Sequence, residues 1–160
     1  MGIQHAERGI ALLRIVVGFW FLKAGVSHIA FTPMPWVSAR WAEIMPKIVE
    51  GNAKEHPIAF YKAFLENVVL PNSTLFASLS GIGEFLVGVS LTLGILSGLG
   101  GLGGLFLAAM YGLMTIGSVN SQGFHLILVT SMIVFIVTRP GRLWGVDAIL
   151  SKINPHLPIW

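Results

Sequence analysis

Four long runs of apolar residues dominate the chain, and shorter polar, proline-rich or glycine-rich segments separate them. We predict spans at about 6–31, 75–96, 99–119 and 124–138. A helix needs roughly 20 apolar residues to cross a bilayer, which the first three runs reach and the fourth approaches. The pattern therefore predicts an all-α, four-helix transmembrane bundle in which residues 1–160 form a single membrane domain.

The segment between the first two spans, 32–74, and the tail at 142–153 are amphipathic rather than continuously apolar. Two stripes at helical spacing run along the long segment. They comprise Trp36, Trp41, Ile44, Met45 and Ile48, and then Phe60, Tyr61, Phe64, Leu65 and Val68. We predict two short helices at the membrane surface in this loop and one more in the tail.

Composition supports a membrane protein and narrows its partners. Hydrophobic residues make up 54% of the chain and charged residues only 11%, whereas a soluble domain carries about a quarter charged residues. The net charge of +3 is too small and too scattered for nucleic acid, so the lipid bilayer is the expected partner. The absence of cysteine excludes disulfides, iron–sulfur ligation and Cys-type zinc sites. We predict no metal site and no covalently bound cofactor.

Four spans place both termini on the same side of the membrane. Basic residues mark that side, whereas the lysines and arginine of the long loop are matched by glutamates. The positive-inside rule counts Lys and Arg in short segments near the membrane. We therefore predict cytoplasmic termini and a multi-pass protein of the bacterial or archaeal cytoplasmic (inner) membrane. The basic residues on this side are Arg8, Arg14, Arg139, Arg142 and Lys152.

The second span contains one carboxylate, Glu84, between Gly81 and Gly88. A charge at that depth is costly, so it needs a partner or a function. Arg14 of the first span shares a helical stripe with small residues, and we predict an Arg14–Glu84 ion pair. The pair either carries chemistry or only fixes helix packing. Lys23 lies on the opposite side of the same helix, where its stem would reach the outer boundary.

Further polar residues lie at the depth of Glu84 or beyond it. Tyr111 is predicted near Glu84, and His28 and His125 fall in the outer half of their spans. Two histidines on facing helices can ligate haem, but hydrogen-bonded histidines are commoner, and we do not expect a haem. Arg14, Glu84, Tyr111 and His125 form the predicted site for a quinone carbonyl and a proton relay. For Tyr111 alone, a core aromatic with a satisfied hydroxyl is the competing interpretation.

Three motifs carry a resemblance to a known family. The first span has Leu-Leu-Arg with later Gly, Phe-Leu and Gly, the second has Gly-x-Gly-Glu with a following Gly, and the chain closes with a Gly-Arg-…-Asp motif. These motifs resemble those of DoxX/DoxD-type membrane proteins. The chain departs from that pattern at His28, where lysine is usual, at Trp144-Gly145 and in its extended first loop. The motifs lie at 12–29, 81–88 and 141–147, and the last contains Arg142 and Asp147.

The resemblance implies a four-helix membrane bundle that works with other membrane subunits. The family includes the membrane subunit of a thiosulfate:quinone oxidoreductase, so we expect a subunit of a redox or electron-transfer complex that contacts quinone. A thiosulfate site would need a basic outer surface, which the charge-balanced loop does not provide without a partner subunit. The alternative is a non-catalytic accessory subunit of a larger respiratory or photosynthetic complex. A transporter is disfavoured, because one glutamate without an internal repeat makes a poor pathway.

Overall fold

A computed structural model describes residues 2–30 and 36–154, with side chains from Gln4 onwards. This part of the chain is helical and contains no strand, and four of its helices, α1, α4, α5 and α6, are long and apolar enough to cross a membrane. The predicted all-α bundle with four transmembrane helices is confirmed. The helices are α1 (Gly2–His28), α2 (Ala39–Lys54), α3 (Ala59–Phe64, continued by a π-helical turn at Leu65–Val69), α4 (Ser73–Leu93), α5 (Ser97–Met114), α6 (Val119–Thr138) and α7 (Asp147–Ile153), with a 3₁₀ turn at Pro140–Arg142.

The turns between the spans differ from the predicted ones. Helix α4 ends at Leu93, because Gly94 and Leu96 adopt left-handed backbone angles (φ 66° and 50°) that close a tight turn. Helix α5 begins at Ser97, two residues before the predicted start at 99, so the glycine-rich run lies within it. Helix α6 begins at Val119 rather than 124, because Gly117 (φ 114°) makes the turn. The predicted end of the first span, residue 31, lies outside the described residues.

Helices α1 and α4 run antiparallel and in direct backbone contact. A Cβ atom added to Gly18 would overlap the backbone of Thr92, and one added to Gly25 would overlap Phe85. A Cβ on Gly88 would overlap the backbone of Leu22. Small residues allow transmembrane helices to approach this closely, and van der Waals packing then stabilises the pair. These three glycines fix the register between α1 and α4.

The remaining spans complete one apolar core. Glycines of α5 face α6, where Gly101 meets Ile136 and Gly104 meets Met132. Trp20 of α1 contacts Phe124 of α6 edge-on, with ring centroids 5.6 Å apart, so these two helices also touch. The buried core draws on all four spans and comprises Val17, Phe21, Val87, Leu91, Ala108, Leu128, Met132 and Phe135.

The loop helices form a second core against one end of the bundle. Their inward face differs from the predicted stripes, because Ile48 is 39% exposed and Phe60 is 82% exposed. His56 Nε2 lies 2.8 Å from the Leu113 carbonyl oxygen of α5. Such contacts hold the loop on the bundle rather than leaving it as a separate hairpin. The buried residues of this second core are Met45, Val49, Ala53, Tyr61, Leu65, Val69 and Ala77.

At the opposite end of the bundle, buried polar groups join α1 to the 3₁₀ turn and the start of α5 to the start of α7. The Arg14 guanidinium, from a fully buried residue, donates to the Pro140 carbonyl oxygen (3.2 Å) and to that of Trp144 (3.0 Å). The Asp147 carboxylate accepts from the backbone N–H groups of Leu96 (2.7 Å) and Ser97 (2.9 Å) and from the Ser97 hydroxyl (2.7 Å). We call these groups the terminal polar cluster.

The predicted ion pair between Arg14 and Glu84 is wrong. The Arg14 guanidinium packs against Gly94, ten residues along α4 from Glu84, or roughly 15 Å at the rise of an α-helix. The glycine contacts explain the error, because Gly88 packs against Leu22 and this register places Glu84 near the last turn of α1.

The α1–α4 contact predicts that Gly88→Ala destabilises the protein. The added methyl group must displace the backbone of Leu22, and overpacking of this kind costs about 1–3 kcal/mol. Gly9→Ala is the matched control, because a Cβ at Gly9 meets nothing within 4 Å and alanine is the better helix former. Thermal unfolding in detergent measures both variants. Equal melting temperatures would contradict the proposed contact.

The terminal polar cluster predicts a large cost for Asp147→Ala. This substitution leaves three donors without an acceptor and removes the negative charge that acts on the buried Arg14. Removing one partner from a buried charged group typically costs about 3–5 kcal/mol. Glu50→Ala is the control, since its ion pair with Lys54 is exposed and worth less than about 1 kcal/mol. Chemical denaturation monitored by circular dichroism measures the free energy of unfolding of both variants. Equal losses in the two variants would refute the prediction.

Candidate functional site

Glu84 of α4 lies between two hydrogen-bonding partners from other helices. Its Oε2 atom is 2.5 Å from Nδ1 of His28, the last residue of α1. Its Oε1 atom accepts a hydrogen bond from the Tyr111 hydroxyl of α5 at 2.8 Å. The Glu84 side chain is only 6% exposed, whereas that of His28 is 20% exposed. The carboxylate is thus buried and has both oxygen atoms satisfied.

Two further side chains extend this network. Trp41 of α2 stacks on the His28 ring, with ring centroids 3.6 Å apart and planes 12° from parallel. The Trp41 indole N–H donates to the Ser80 hydroxyl oxygen at 3.2 Å, and the Ser80 hydroxyl donates to the Ala77 carbonyl oxygen at 3.0 Å. His28, Trp41, Ser80, Glu84 and Tyr111 therefore form one connected group, which we call the polar ring.

Local structure explains how the ring is assembled. Ser80 and Glu84 are four residues apart on α4, so their side chains lie on the same helix face. On the loop side, Ser38 caps α2 by accepting from the Trp41 backbone N–H (3.3 Å). Its own N–H donates to the His28 carbonyl oxygen at 2.8 Å, and its hydroxyl donates to the Ser27 carbonyl oxygen at 2.9 Å. Ser38 thus ties the start of α2 to the end of α1 and places Trp41 over His28.

The side chains of the polar ring include three groups that can exchange protons. The Glu84 carboxylate lies between an imidazole and a phenol at hydrogen-bonding distance from each, and each of the three can give or accept a proton. The contact of 2.5 Å between His28 and Glu84 is as short as charge-assisted hydrogen bonds become. Within the described residues, this is where an acidic and a basic side chain meet inside the predicted membrane region.

An apolar cavity of about 260 Å³ adjoins Tyr111 and Ser80, which are its polar lining residues together with Tyr61. Two lining residues, Leu79 (55% exposed) and Phe106 (63% exposed), lie at the outer surface of the transmembrane helices. The cavity therefore adjoins the surface that lipid would cover. Its remaining lining is Met45, Val49, Phe64, Leu65, Val69, Phe76, Leu107, Met110 and Met114.

A separate cleft of about 350 Å³ lies on the other side of His28. Its lining is Ser27, His28, Arg40, Trp41 and Ile44, and Arg40 and Ser27 are exposed. We call it the loop-side cleft. The polar ring thus separates an apolar cavity next to Tyr111 from a polar cleft next to His28.

A larger cleft of about 470 Å³ lies at the opposite end of the bundle, beside the terminal polar cluster. Arg142, which is exposed, lines it together with Glu7 and Arg139. Its walls carry charges of both signs, whereas the cavity at Tyr111 is mostly apolar. The larger volume therefore does not make it the better site for an apolar ligand.

The structure brings together only part of the predicted site. Glu84 and Tyr111 are joined, whereas Arg14 belongs to the terminal polar cluster. His125 lies beside Tyr111, with ring centroids 6.2 Å apart, and its Nδ1 atom is 2.7 Å from the Ser121 carbonyl oxygen rather than near Glu84. Lys23 is exposed, away from the ring. Asp147 caps the start of α5.

Sequence reasoning placed His28 among the outer polar residues but not beside Glu84, and it did not name Ser80 or Trp41 as site residues. His28 shares the helical stripe of Arg14, so the residue at the other end of that stripe was available as a partner for Glu84. Ser80 stands four residues before Glu84, a spacing that predicts a shared face. No spacing in the sequence places Trp41 near Glu84, because its position depends on how the first loop folds back onto the transmembrane helices.

Comparisons with curated proteins and with solved structures find no match. A family model described as "TQO small subunit DoxD" matches residues 10–156. The match covers all four transmembrane helices, the loop helices and the terminal polar cluster. The chain belongs to the DoxD family.

Proposed function

We propose that the protein is a small membrane subunit of a quinone-linked oxidoreductase and that it holds a quinone ring in the apolar cavity beside Tyr111. The family description names the small subunit of such a complex. The proposal includes other membrane subunits as partners, one of which carries the electron donor. It also places the protein in the bacterial or archaeal cytoplasmic membrane, with both termini on the cytoplasmic side.

The observation that carries this proposal is the contact of the apolar cavity with the polar ring. Small-molecule sites are mostly apolar with a few placed polar groups, and their volumes begin at about 300 Å³. A cavity of about 260 Å³ is close to that lower limit and suits a ring, while an isoprenoid tail would remain in lipid. Exposed Leu79 and Phe106 mark the side from which a lipid-soluble molecule would enter.

The ring supplies what quinone chemistry requires. Reduction of a quinone to a quinol adds two electrons and two protons, so a site needs groups that hydrogen-bond a carbonyl oxygen and supply protons. Tyr111 lines the cavity and donates its hydroxyl hydrogen to Glu84. When Glu84 is protonated and donates to the Tyr111 oxygen instead, the Tyr111 hydroxyl can donate to a quinone carbonyl. Ser80 is a second polar group on the same wall. The electrons come from the donor subunit.

Tyr111→Phe is expected to weaken binding of decylubiquinone about fivefold. The substitution removes one hydrogen bond to the ligand, and a single bond contributes about 1 kcal/mol. Tyr61→Phe is the matched control in the same cavity, because the Tyr61 hydroxyl donates to the Met110 carbonyl oxygen at 2.9 Å. Quenching of tryptophan fluorescence in nanodiscs measures both affinities.

Leu107→Trp provides the decisive negative control, since it fills the cavity with an indole ring while keeping an apolar side chain. Wild-type protein should bind decylubiquinone saturably and release quinone on solvent extraction, and the filled variant should do neither. Equal binding by wild type and the filled variant would refute the quinone site. It would favour the accessory role, especially if the protein copurified stoichiometrically with a larger complex.

A further inference from the structure

A chain of hydrogen-bonded groups crosses the wall between the apolar cavity and the loop-side cleft. It begins at Tyr111, passes through both oxygen atoms of Glu84 and ends at His28. Its two ends lie in different environments, since Tyr111 lines the apolar cavity and His28 lines the cleft with exposed Arg40. Ser27 of α1 and the α2 residues Trp41 and Ile44 form the rest of the cleft wall.

We propose that His28 carries protons between Glu84 and the loop-side cleft. Protons taken up or released at the apolar cavity then exchange with water at the end of the bundle that bears α2 and α3. This inference rests on the proposed function for the origin of those protons. It assigns His28 a role in proton transfer, distinct from the role of Tyr111 in contacting the quinone.

The transfer conserves protons at each step. Nδ1 of His28 faces Glu84, so Nε2 is the nitrogen that accepts a proton from cleft water. As the Nε2–H bond forms, the Nδ1–H bond breaks and its proton passes to Glu84 Oε2. Rotation of the protonated Glu84 carboxyl group then turns this proton from His28 towards Tyr111. Glu84 protonates the Tyr111 oxygen while the Tyr111 hydroxyl proton passes to the carbonyl oxygen of a quinone that has received electrons from the donor subunit. Quinol oxidation runs the same steps in reverse.

The surroundings of His28 favour this role over a purely structural one. The ionisable groups that face it are Glu84 of α4 and Arg40 of α2. Trp41 covers one face of the imidazole and Ser80 is neutral. Lys23, on the same helix as His28, is exposed on another face. His28 lines an open cleft while it is hydrogen-bonded to a buried carboxylate, so it contacts both the cleft and the interior of the bundle.

The test measures how fast Glu84 gains a proton after a rapid drop in pH. Infrared spectroscopy of the full chain in nanodiscs follows the carboxyl band that Glu84→Gln removes. We expect His28→Gln to slow the appearance of this band about 100-fold, the lower range for loss of one proton-transfer group. Added imidazole should restore the rate in His28→Gly, because the small base can enter the cleft.

His5→Gln is the matched control, since His5 is an exposed histidine at the other end of α1, and it should keep the wild-type rate. Near-ultraviolet circular dichroism of Trp41 checks that the His28 variants are folded. A wild-type rate in His28→Gln would overturn the proposal. So would a slow His28→Gly variant that imidazole does not accelerate, because that result indicates a structural role. The measurement uses no quinone, so failure of decylubiquinone binding would refute the proposed function separately.

Discussion

The glycine-mediated contact between α1 and α4 is the constraint on which the rest of the structure depends. Backbone approaches backbone at Gly18, Gly25 and Gly88, because a side chain at any of these positions would hold the two helices apart. This register decides which charged groups can meet. It sets the end of α1 beside Glu84 and sends Arg14 to the opposite end of the bundle. The positions of the buried charges therefore follow from van der Waals packing of small residues.

The two ends of the bundle stabilise buried charge in different ways. Arg14 donates to two carbonyl oxygens and is attracted by the negative charge of Asp147. Asp147 in turn accepts hydrogen bonds from N–H groups at the start of α5. Most of these partners are backbone carbonyl and N–H groups, which do not gain or lose protons near neutral pH. They therefore hold the helices rigidly rather than exchange protons. Glu84 instead meets an imidazole and a phenol, whose protons can move. One end is thus suited to holding helices together and the other to chemistry.

Sequence predicts the bundle because its signal is local, but it does not predict the register. Apolar length gives the four spans, and the cost of Glu84 in lipid marks it as a candidate functional residue. The choice of Arg14 as its partner assumed a depth for each helix. Arg14 and His28 lie at opposite ends of one stripe of α1, roughly 21 Å apart at the rise of an α-helix, and only the observed register shows which of them meets Glu84. Tyr111 is predicted correctly as a neighbour of Glu84, because α4 and α5 are joined by a tight turn that limits their offset. Trp41 lies on a loop helix whose fold-back depends on Ser38 and on distant contacts.

The placement of Trp41 has a consequence for how the site is divided between membrane and loop. The transmembrane helices alone would leave His28 open and the Glu84 carboxylate near water, where proton exchange needs no specific residue. Helix α2 covers one face of the imidazole through Trp41 and is fixed at Ser38 to the end of α1. This cover reduces the access of water to the ring and leaves the cleft beside Arg40 as the exposed approach to His28. The first loop therefore contributes Trp41 to the polar ring rather than merely connecting two spans.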